Sequence, residues 1–380
     1  MKIYDVLIIG GGASGLMCAS YLKKQLDVGI IDNNEKLAKK LKISGGGKCN
    51  ITNKFVDVKN FDGDEEIILN ALSKFSRDDL LDFLKQNSVA LELRKNRYYF
   101  CKKSSDDIIN LLKNKTRHIE NILNTTVLEV KKIDNIFEIK TSRGSLKSKK
   151  LVIASGGKSF SNLGASDIGL SIAKSFDIKV KEFQPALVGL TLQPAQSWMK
   201  SLSGLSCYVN IKDEDRIIKE EMLFAHKGIS GPAILSASLY WKKGNISIDF
   251  VPNENIFDLI KGSKKLLSSV IPLPKRLARA ILKAIDVQDV ECKKLNQQDK
   301  KYLNLIHNYE FAPAGNFGFT KAEVSRGGVL AEELDLNTLE SKKIKNLFFI
   351  GEVIDVTGEL GGYNFQWAFS SGVICAKAIN

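Results

Sequence analysis

Four short segments of this 380-residue chain combine residue types able to hold a dinucleotide and a redox-active ring. The first, Gly10-Gly-Gly12-Ala13-Ser14-Gly15, fits G-x-G-x-x-G. In that pattern one glycine allows a tight turn, the next lets backbone approach a pyrophosphate, and the last lets a helix pack closely on a strand. Asp32 follows Gly10 by 22 residues, where a carboxylate can take the hydroxyls of an adenosine ribose. The second segment, Ser44-Gly45-Gly46-Gly47-Lys48-Cys49-Asn50, places three successive glycine N–H groups beside a cation, a thiol and an amide. Such a loop can approach a planar ring and hold donors on it; a flexible surface loop would account for the glycines alone.

The third segment, Ala154-Ser155-Gly156-Gly157, closes an apolar run. The fourth joins Gly351-Glu352 and Asp355 to Gly361-Gly362-Tyr363-Asn364. An acid there can take a polyol hydroxyl, and a helix starting near Asn364 can face negative charge on a ring carbonyl. Phe365 and Trp367 read as packing residues. His226, one of only three histidines, stands in Phe224-Ala-His226-Lys-Gly-Ile-Ser-Gly-Pro232, a setting that suits either a structural role or a proton donor.

These groups need a scaffold, and the apolar pattern supplies one. Asp5 to Gly10 reads as a buried strand, Ala13 to Leu22 as a helix, and Val28 to Ile31 as a second strand, which together make a βαβ unit on a parallel sheet. Helical periodicity runs over 67–84 and 106–123, and strands are expected at 126–130, 137–141 and 151–154. From Pro185 the texture changes to short strands at 187–192, 206–211, 217–224 and 246–251, then Lys-rich helices at 256–285 and 299–308. A buried strand returns at Leu347–Ile350, followed by a terminal helix from about Asn364. The expected organisation is an α/β dinucleotide-binding domain of residues 1–189 and 326–380, carrying an insertion at 190–325. Within the insertion, 190–254 and 309–325 are the β-rich part and 255–308 the helical part.

Charge and cysteine usage narrow the class. Lys and Arg number 56 against 43 Asp and Glu, a formal charge of +13, which calls for an anionic partner or reflects a Lys-rich proteome. Six scattered cysteines without a C-x-x-C pair, and so few histidines, argue against a metal site or a disulfide framework. Glycines break the apolar N-terminus, and no run of ~18 apolar residues follows, so no signal peptide or membrane span is expected and the location reads as cytoplasmic. The three consecutive glycines at 10–12 lean toward FAD over a simple NAD dehydrogenase.

The start Gly10–Gly15, the loop ISGGGKCNITN, the segment LFAHKGISGPAIL and the end GEVIDVTGELGGYNFQWAFSSG together resemble the BaiN/YhiN-type family of bacterial NAD(P)/FAD-dependent oxidoreductases, some labelled aminoacetone-oxidase-like. The resemblance spans essentially the whole chain. It implies a glutathione-reductase-type FAD domain with an inserted β-barrel-like and helical region. Within it, Lys48 stands where arginine is usual, Ser155 where threonine is, and Ser166-Asp-Ile-Gly169 where a Gly-Asp-Gly-like turn is common. The candidate FAD contacts are completed by Asn33, Lys40 and Val127 beside the glycine motifs.

With one dinucleotide fingerprint and no second nucleotide domain in view, NADH or NADPH is expected as a transient reductant. Members of the family reduce a C=C conjugated to a ketone in bile-acid intermediates, or a uridine of large-subunit ribosomal RNA to dihydrouridine. Both are hydride delivery to the carbon β to a carbonyl with protonation at the α carbon. Cys49 and His226 are the candidate acids, Cys49 ahead because of its loop.

The segment Arg94–Lys103 packs five cations and three aromatics without an acid, and 261–301 holds eleven Lys and Arg against four acids. Basic residues interleaved with aromatics suit phosphate contact and base stacking, so an RNA substrate is the leading expectation over a solvated Lys-rich face. A small-molecule enone reductase, an amine oxidase and a non-catalytic flavin-binding protein are the alternatives; the oligomeric state is left open.

Overall fold

The β-branched runs of the N-terminal third assemble where alternating burial gives way to burial on both faces. In the computed structural model, which describes residues 2–213 and 216–380, the strand Ile3–Ile9 pairs in parallel with Val28–Ile31 on one side and Gly144–Ile153 on the other. Val6, Leu7 and Ile8 are fully buried, as expected of a strand covered on both faces. The helix Ala13–Tyr21 crosses between the first two strands. Glu120–Ile122 extends the sheet beyond Val28–Ile31.

The ten-residue strand Gly144–Ile153 joins the antiparallel and parallel parts of one seven-stranded sheet. Its first half runs antiparallel to Ile136–Thr141, which pairs with Val127–Ile133 as a meander. Its last three residues run parallel to Leu347–Phe349. One strand thus leads from a solvent-facing meander into the buried parallel layer, and its end delivers Ala154 and Ser155 to the edge where the first strand delivers Gly10.

Contacts separate two units: residues up to Pro185 with Glu323–Asn380, and Ala186–Ala322. The sequence reading placed the insertion at 190–325. In the first unit the strand Val324–Val329, not anticipated from sequence, pairs with Val180–Ala186. The terminal helix Tyr363–Ile379 packs against Ala13–Tyr21. Their approach is close because Gly372 carries no side chain: a Cβ there would lie 2.7 Å from the Ser14 carbonyl oxygen.

Two expected helices are shorter than the periodicity suggested. The pattern at 67–84 is two helices, Glu65–Lys74 and Arg77–Gln86, parted where Ser76 forms a capping box with Asp79. The pattern at 106–123 ends at Lys115 and gives way to the strand Glu120–Ile122.

The second unit holds a seven-stranded antiparallel sheet in the order Tyr309–Phe311, Ile246–Asp249, Ser206–Asp213, Arg216–Ala225, Gly228–Ser230, Leu190–Thr191, Gly315–Asn316. The two outermost strands are consecutive in sequence, separated by residues 312–314. Four residue steps span at most about 14 Å, so the sheet's edges must curl toward each other. That gives the β-rich part its barrel-like character.

The helix Pro232–Tyr240 packs on this sheet. The expected helix 256–285 is three pieces, Ile256–Ile260, Leu267–Val270 and Lys275–Ala284, broken around Gly262 and again around Pro272 and Pro274. Its partner is Gln297–Leu303 rather than 299–308, with a tighter turn at Asn304–His307. Among the described residues, no helix is long and apolar enough to cross a membrane.

Candidate functional site

Three glycines divide the work at the first strand's end. Gly10 has φ +107°, and a Cβ there would sit 2.3 Å from the Ala154 carbonyl oxygen; a Cβ at Gly15 would sit 2.0 Å from the Gly10 carbonyl oxygen. Both are excluded by backbone packing. Gly12 differs, because a Cβ at that position would meet nothing within 4 Å. It begins the helix Ala13–Tyr21, whose first turn has neither a side-chain cap nor an acid. The open face therefore presents backbone N–H groups and a positive helix end, the setting that binds a pyrophosphate. Ala13 and Ser14 lie in that turn.

Asp32 ends the second strand, and its carboxylate organises the turn. One oxygen accepts from the Gly11 N–H at 2.8 Å, the other from the Asn34 N–H and side-chain amide at 2.9 and 3.0 Å. Carboxylate oxygens have lone pairs beyond these, so a ribose hydroxyl can still be accommodated. Asn33 donates to the Gly164 carbonyl at 3.0 Å and so ties the turn Ser161–Leu163 to this edge. Val127, 7% exposed, begins the meander strand.

The Gly45–Gly47 arch is built from left-handed residues, with φ of 56°, 64° and 82°. Cβ atoms at Gly46 and Gly47 would meet nothing within 4 Å, so this backbone is open, whereas Gly45 lies against the Phe100 ring. The arch is stitched down from behind: the Gly47 carbonyl accepts from the Ser105 N–H at 2.8 Å and the Lys48 carbonyl from the Cys101 N–H at 3.0 Å. Ser44 donates its hydroxyl to the Leu41 carbonyl. The Asn50 amide, oriented to satisfy its neighbours, donates to the carbonyls of Thr52 and Tyr99.

Cys49 takes a left-handed φ of 47° that turns its side chain inward, where it is 0% exposed. Burial pushes its thiol up to about 12, with Ser44 beside it pulling slightly the other way and Cys101 adding to the rise.

The other two segments close over this edge. A Cβ at Gly351, φ +75°, would lie 2.5 Å from the Ser14 hydroxyl; the Gly351 N–H donates to Ser371 and its carbonyl accepts from the Trp367 indole at 3.0 Å. Trp367 is thus a buried brace. Ser155 at the strand end has a buried hydroxyl with no hydrogen-bond partner, and Gly156, φ +72°, is open beside it. The Ser155 hydroxyl packs against Gly169, and the open backbone at Gly156 and at Gly12, with the uncapped start of the helix Ala13–Tyr21, is the cradle a dinucleotide cofactor would fill. The residues present fit FAD.

Several acids and amides named from sequence have protein partners here. Glu352 accepts from Lys40 at 2.8 Å and from the Ser325 N–H at 2.8 Å. Asp355 pairs with Lys181 at 3.1 Å. Asn364 both accepts from the Gly358 N–H and donates to the Gly358 carbonyl, locking the strand before the terminal helix. Tyr363 is fully buried, its hydroxyl beside Arg97, and burial raises its pKa.

Residues not singled out by sequence join the segments. Gly362 lies on Thr52, where a Cβ would fall 2.7 Å from its backbone; Asn53 donates to the Gly361 carbonyl at 3.1 Å, and the Thr52 hydroxyl donates to the buried Gln366 amide oxygen. The polar pair Thr52-Asn53, one residue beyond Asn50, was the available signal. Among the described residues, no group of three or more His, Cys, Asp or Glu could hold a metal ion.

His226 belongs to the second unit, exposed with Lys227 on the two-residue turn between Arg216–Ala225 and Gly228–Ser230. Cys49 belongs to the first. The 94–103 segment is a hairpin, Leu91–Arg94 with Tyr98–Cys101, turned by left-handed Lys95 and Asn96. Arg94 stacks over Phe100 at 4.7 Å and Arg97 over Tyr98 at 5.3 Å. In the 261–301 stretch, Lys275, Arg276, Arg279 and Lys283 line the exposed face of one helix whose other face, Leu277, Ala278, Ile281 and Leu282, is buried.

A parallel sheet with a glycine-rich turn into an uncapped helix, and a second glycine arch beside it, defines an FAD-dependent oxidoreductase on a Rossmann-type domain. More particularly, the chain belongs to the family described as HI0933-like protein Rossmann domain, whose model matches residues 4–378. A ribosomal RNA dihydrouridine synthase of Escherichia coli (strain K12) is 34% identical over 392 residues, covering 99% of this chain and 98% of that protein. A 3-dehydro-bile acid delta(4,6)-reductase of Clostridium scindens is 26% identical, covering 98% of each. Among solved structures, a quinol fumarate reductase of E. coli is similar in fold, with TM-score 0.52 and 12% identity over all of this chain and 70% of that one.

Proposed function

We propose that this protein reduces the C5=C6 double bond of a uridine in large-subunit ribosomal RNA, giving dihydrouridine, with NADH or NADPH as the reductant. The observation that carries the reading is the placement of the basic-aromatic hairpin: its Phe100 ring lies directly on Gly45 of the arch. A surface suited to RNA is therefore continuous with the candidate flavin loop. Full-length identity of 34% to a ribosomal RNA dihydrouridine synthase supports the same substrate. Such a substrate puts the reaction in the cytoplasm.

When bound, FAD supplies hydride chemistry at C6, the carbon β to the C4 carbonyl. The contacts on this reading are the open Gly12 turn with Ala13 and Ser14 for pyrophosphate, Asp32 for ribose, and the Gly46–Gly47 backbone with Ser155 and Gly156 nearer the ring.

The chain's own residues must hold the uracil ring and give a proton to C5. A donor reloads from solvent between turnovers, which favours exposed His226 over fully buried Cys49 and reverses their order from the sequence. Cys49 then acts by packing, fixing the arch from inside.

Mass-spectrometric mapping of ribosomal RNA from a strain lacking the protein tests the reading. One uridine should lose its dihydrouridine signal and regain it on complementation. An unchanged map would overturn the RNA assignment in favour of a small-molecule enone, the chemistry of the bile-acid reductase relative.

A further inference from the structure

Side chains alternate across a strand, so Tyr99 faces away from its neighbours Tyr98 and Phe100. Those two rings meet the glycine segments: a Cβ at Gly361 would lie 2.8 Å from Tyr98, and one at Gly45 3.0 Å from Phe100. On the opposite face, Tyr99 lines an open groove of about 440 Å³ with Leu81, Lys85, Val89 and Leu91. That volume falls in the range of roughly 300–1,000 Å³ typical of small-molecule clefts. Leu81 and Lys85 lie one turn apart on the helix Arg77–Gln86, the leucine half-buried and the lysine exposed. Val89 is 9% exposed, so the floor is apolar.

Lys85 is the exposed cation of the lining. Lys102 and Lys103, both exposed, follow the strand outside the lining, where the Lys102 N–H donates to the carbonyl of the lining residue Ala90. The nearby acid Glu92 is paired with Arg94 at 2.7 Å. An aromatic ring over an apolar floor, with lysines at the edge, matches a base on its π-face and phosphates around it.

We propose that this groove binds an unpaired base of the RNA substrate, stacked on Tyr99, with Lys85, Lys102 and Lys103 holding flanking phosphates. The proposal rests on the RNA reading above and adds a second contact point to it. The four-residue strand Tyr98–Cys101 carries the groove on one face and leans on the arch with the other. A base held there fixes the register in which the RNA approaches the arch.

The test uses purified holoenzyme and a uridine-rich single-stranded RNA carrying 5-iodouridine. Affinity is read by anisotropy, and photocrosslinks are mapped by mass spectrometry. Tyr99→Ala should weaken binding about 5- to 150-fold, the range for losing one stacked base, while Tyr99→Phe stays near wild type. A crosslink should appear on the peptide containing Tyr99; that measurement on the unmodified protein decides the matter if Tyr99→Ala does not fold. RNA binding unaffected by a folded Tyr99→Ala, or crosslinks confined to other peptides, overturns the groove while leaving the RNA substrate standing. No RNA binding by the wild-type protein overturns both.

Discussion

The Thr52 hydroxyl donates a 2.8 Å hydrogen bond to the Gln366 amide oxygen, fully inside the protein and across 314 residues of sequence. Gln366 also donates to Ser370 at 3.1 Å, and Thr52 itself lies under Gly362. This bond fastens the strand leaving the glycine arch to the first turn of the terminal helix. Removing one partner leaves the other's polar atom buried and unmet, which costs about 1–3 kcal/mol. Thr52→Val should lower the urea midpoint accordingly and speed FAD loss on dilution, whereas a substitution acting on stability alone would leave the FAD off-rate in native buffer unchanged.

Gly10 and Gly12 should respond in opposite ways to the same added methyl. Alanine at Gly10 drives a Cβ into the Ala154 carbonyl at a left-handed φ, so Gly10→Ala should give little folded protein. Gly12 has open space, and Gly12→Ala should keep its melting temperature in the FAD-free form. Its FAD affinity should still drop at least tenfold, because the methyl occupies the ligand's side of the turn. Titrating apo-protein with FAD by flavin fluorescence separates the two.

The Cys49 thiol ionises at about 12 in the fold, against an ordinary value of 9.0. Burial keeps the neutral form, so this group's contribution to stability is complete below pH 9 and is lost as pH rises from there toward 12. Cys49 should resist iodoacetamide at pH 8 in the native protein and react promptly in urea. Cys49→Ser should flatten part of the alkaline loss of stability; Cys207, also raised to about 12 by burial, contributes in the same direction.

Removing His226 should separate chemistry from binding. His226 is exposed on a hairpin turn, so His226→Gln should leave folding and FAD content unchanged, with melting temperature as the control. Product formation from pre-reduced enzyme should drop by about 10²–10⁴ if His226 gives the proton. Full activity in that variant would remove it from the reaction.

Charge on the helix Lys275–Ala284 should appear in the salt dependence of RNA binding. Lys275→Gln with Lys283→Gln leaves the buried Leu277 and Ile281 in place. Each lost phosphate contact should reduce the slope of log affinity against log salt by about 0.7 on single-stranded RNA. An unchanged slope would identify this helix face as merely solvated.

Much of the scaffold was legible because it depends on near neighbours in sequence. A β-branched run, a G-x-G-x-x-G turn and an acid at the next strand's end define one βαβ unit through local sterics and hydrogen bonding. The breaks in the expected helix 256–285 were missed, although Pro272 and Pro274, which cannot continue a helix, were the available signal for the second of them. Strand pairings such as Val180–Ala186 with Val324–Val329 were not legible, because nothing local marks a partner some 140 residues away.

The same division runs through the candidate site. The sequence by itself determined which chemical groups are available: open glycine backbone, one acid for ribose, a thiol, a scarce histidine and a basic-aromatic hairpin. Only the tertiary structure decided how each is used. Cys49 is turned inward by a left-handed backbone, Asn364 is consumed by Gly358, and Tyr99 and Phe100 are sent to opposite faces of one strand. Composition and spacing list donors and acceptors, but partners such as Gln366 for Thr52 and Glu352 for Lys40 lie more than 300 residues away, and packing chooses which groups are satisfied within the protein and which remain for a ligand.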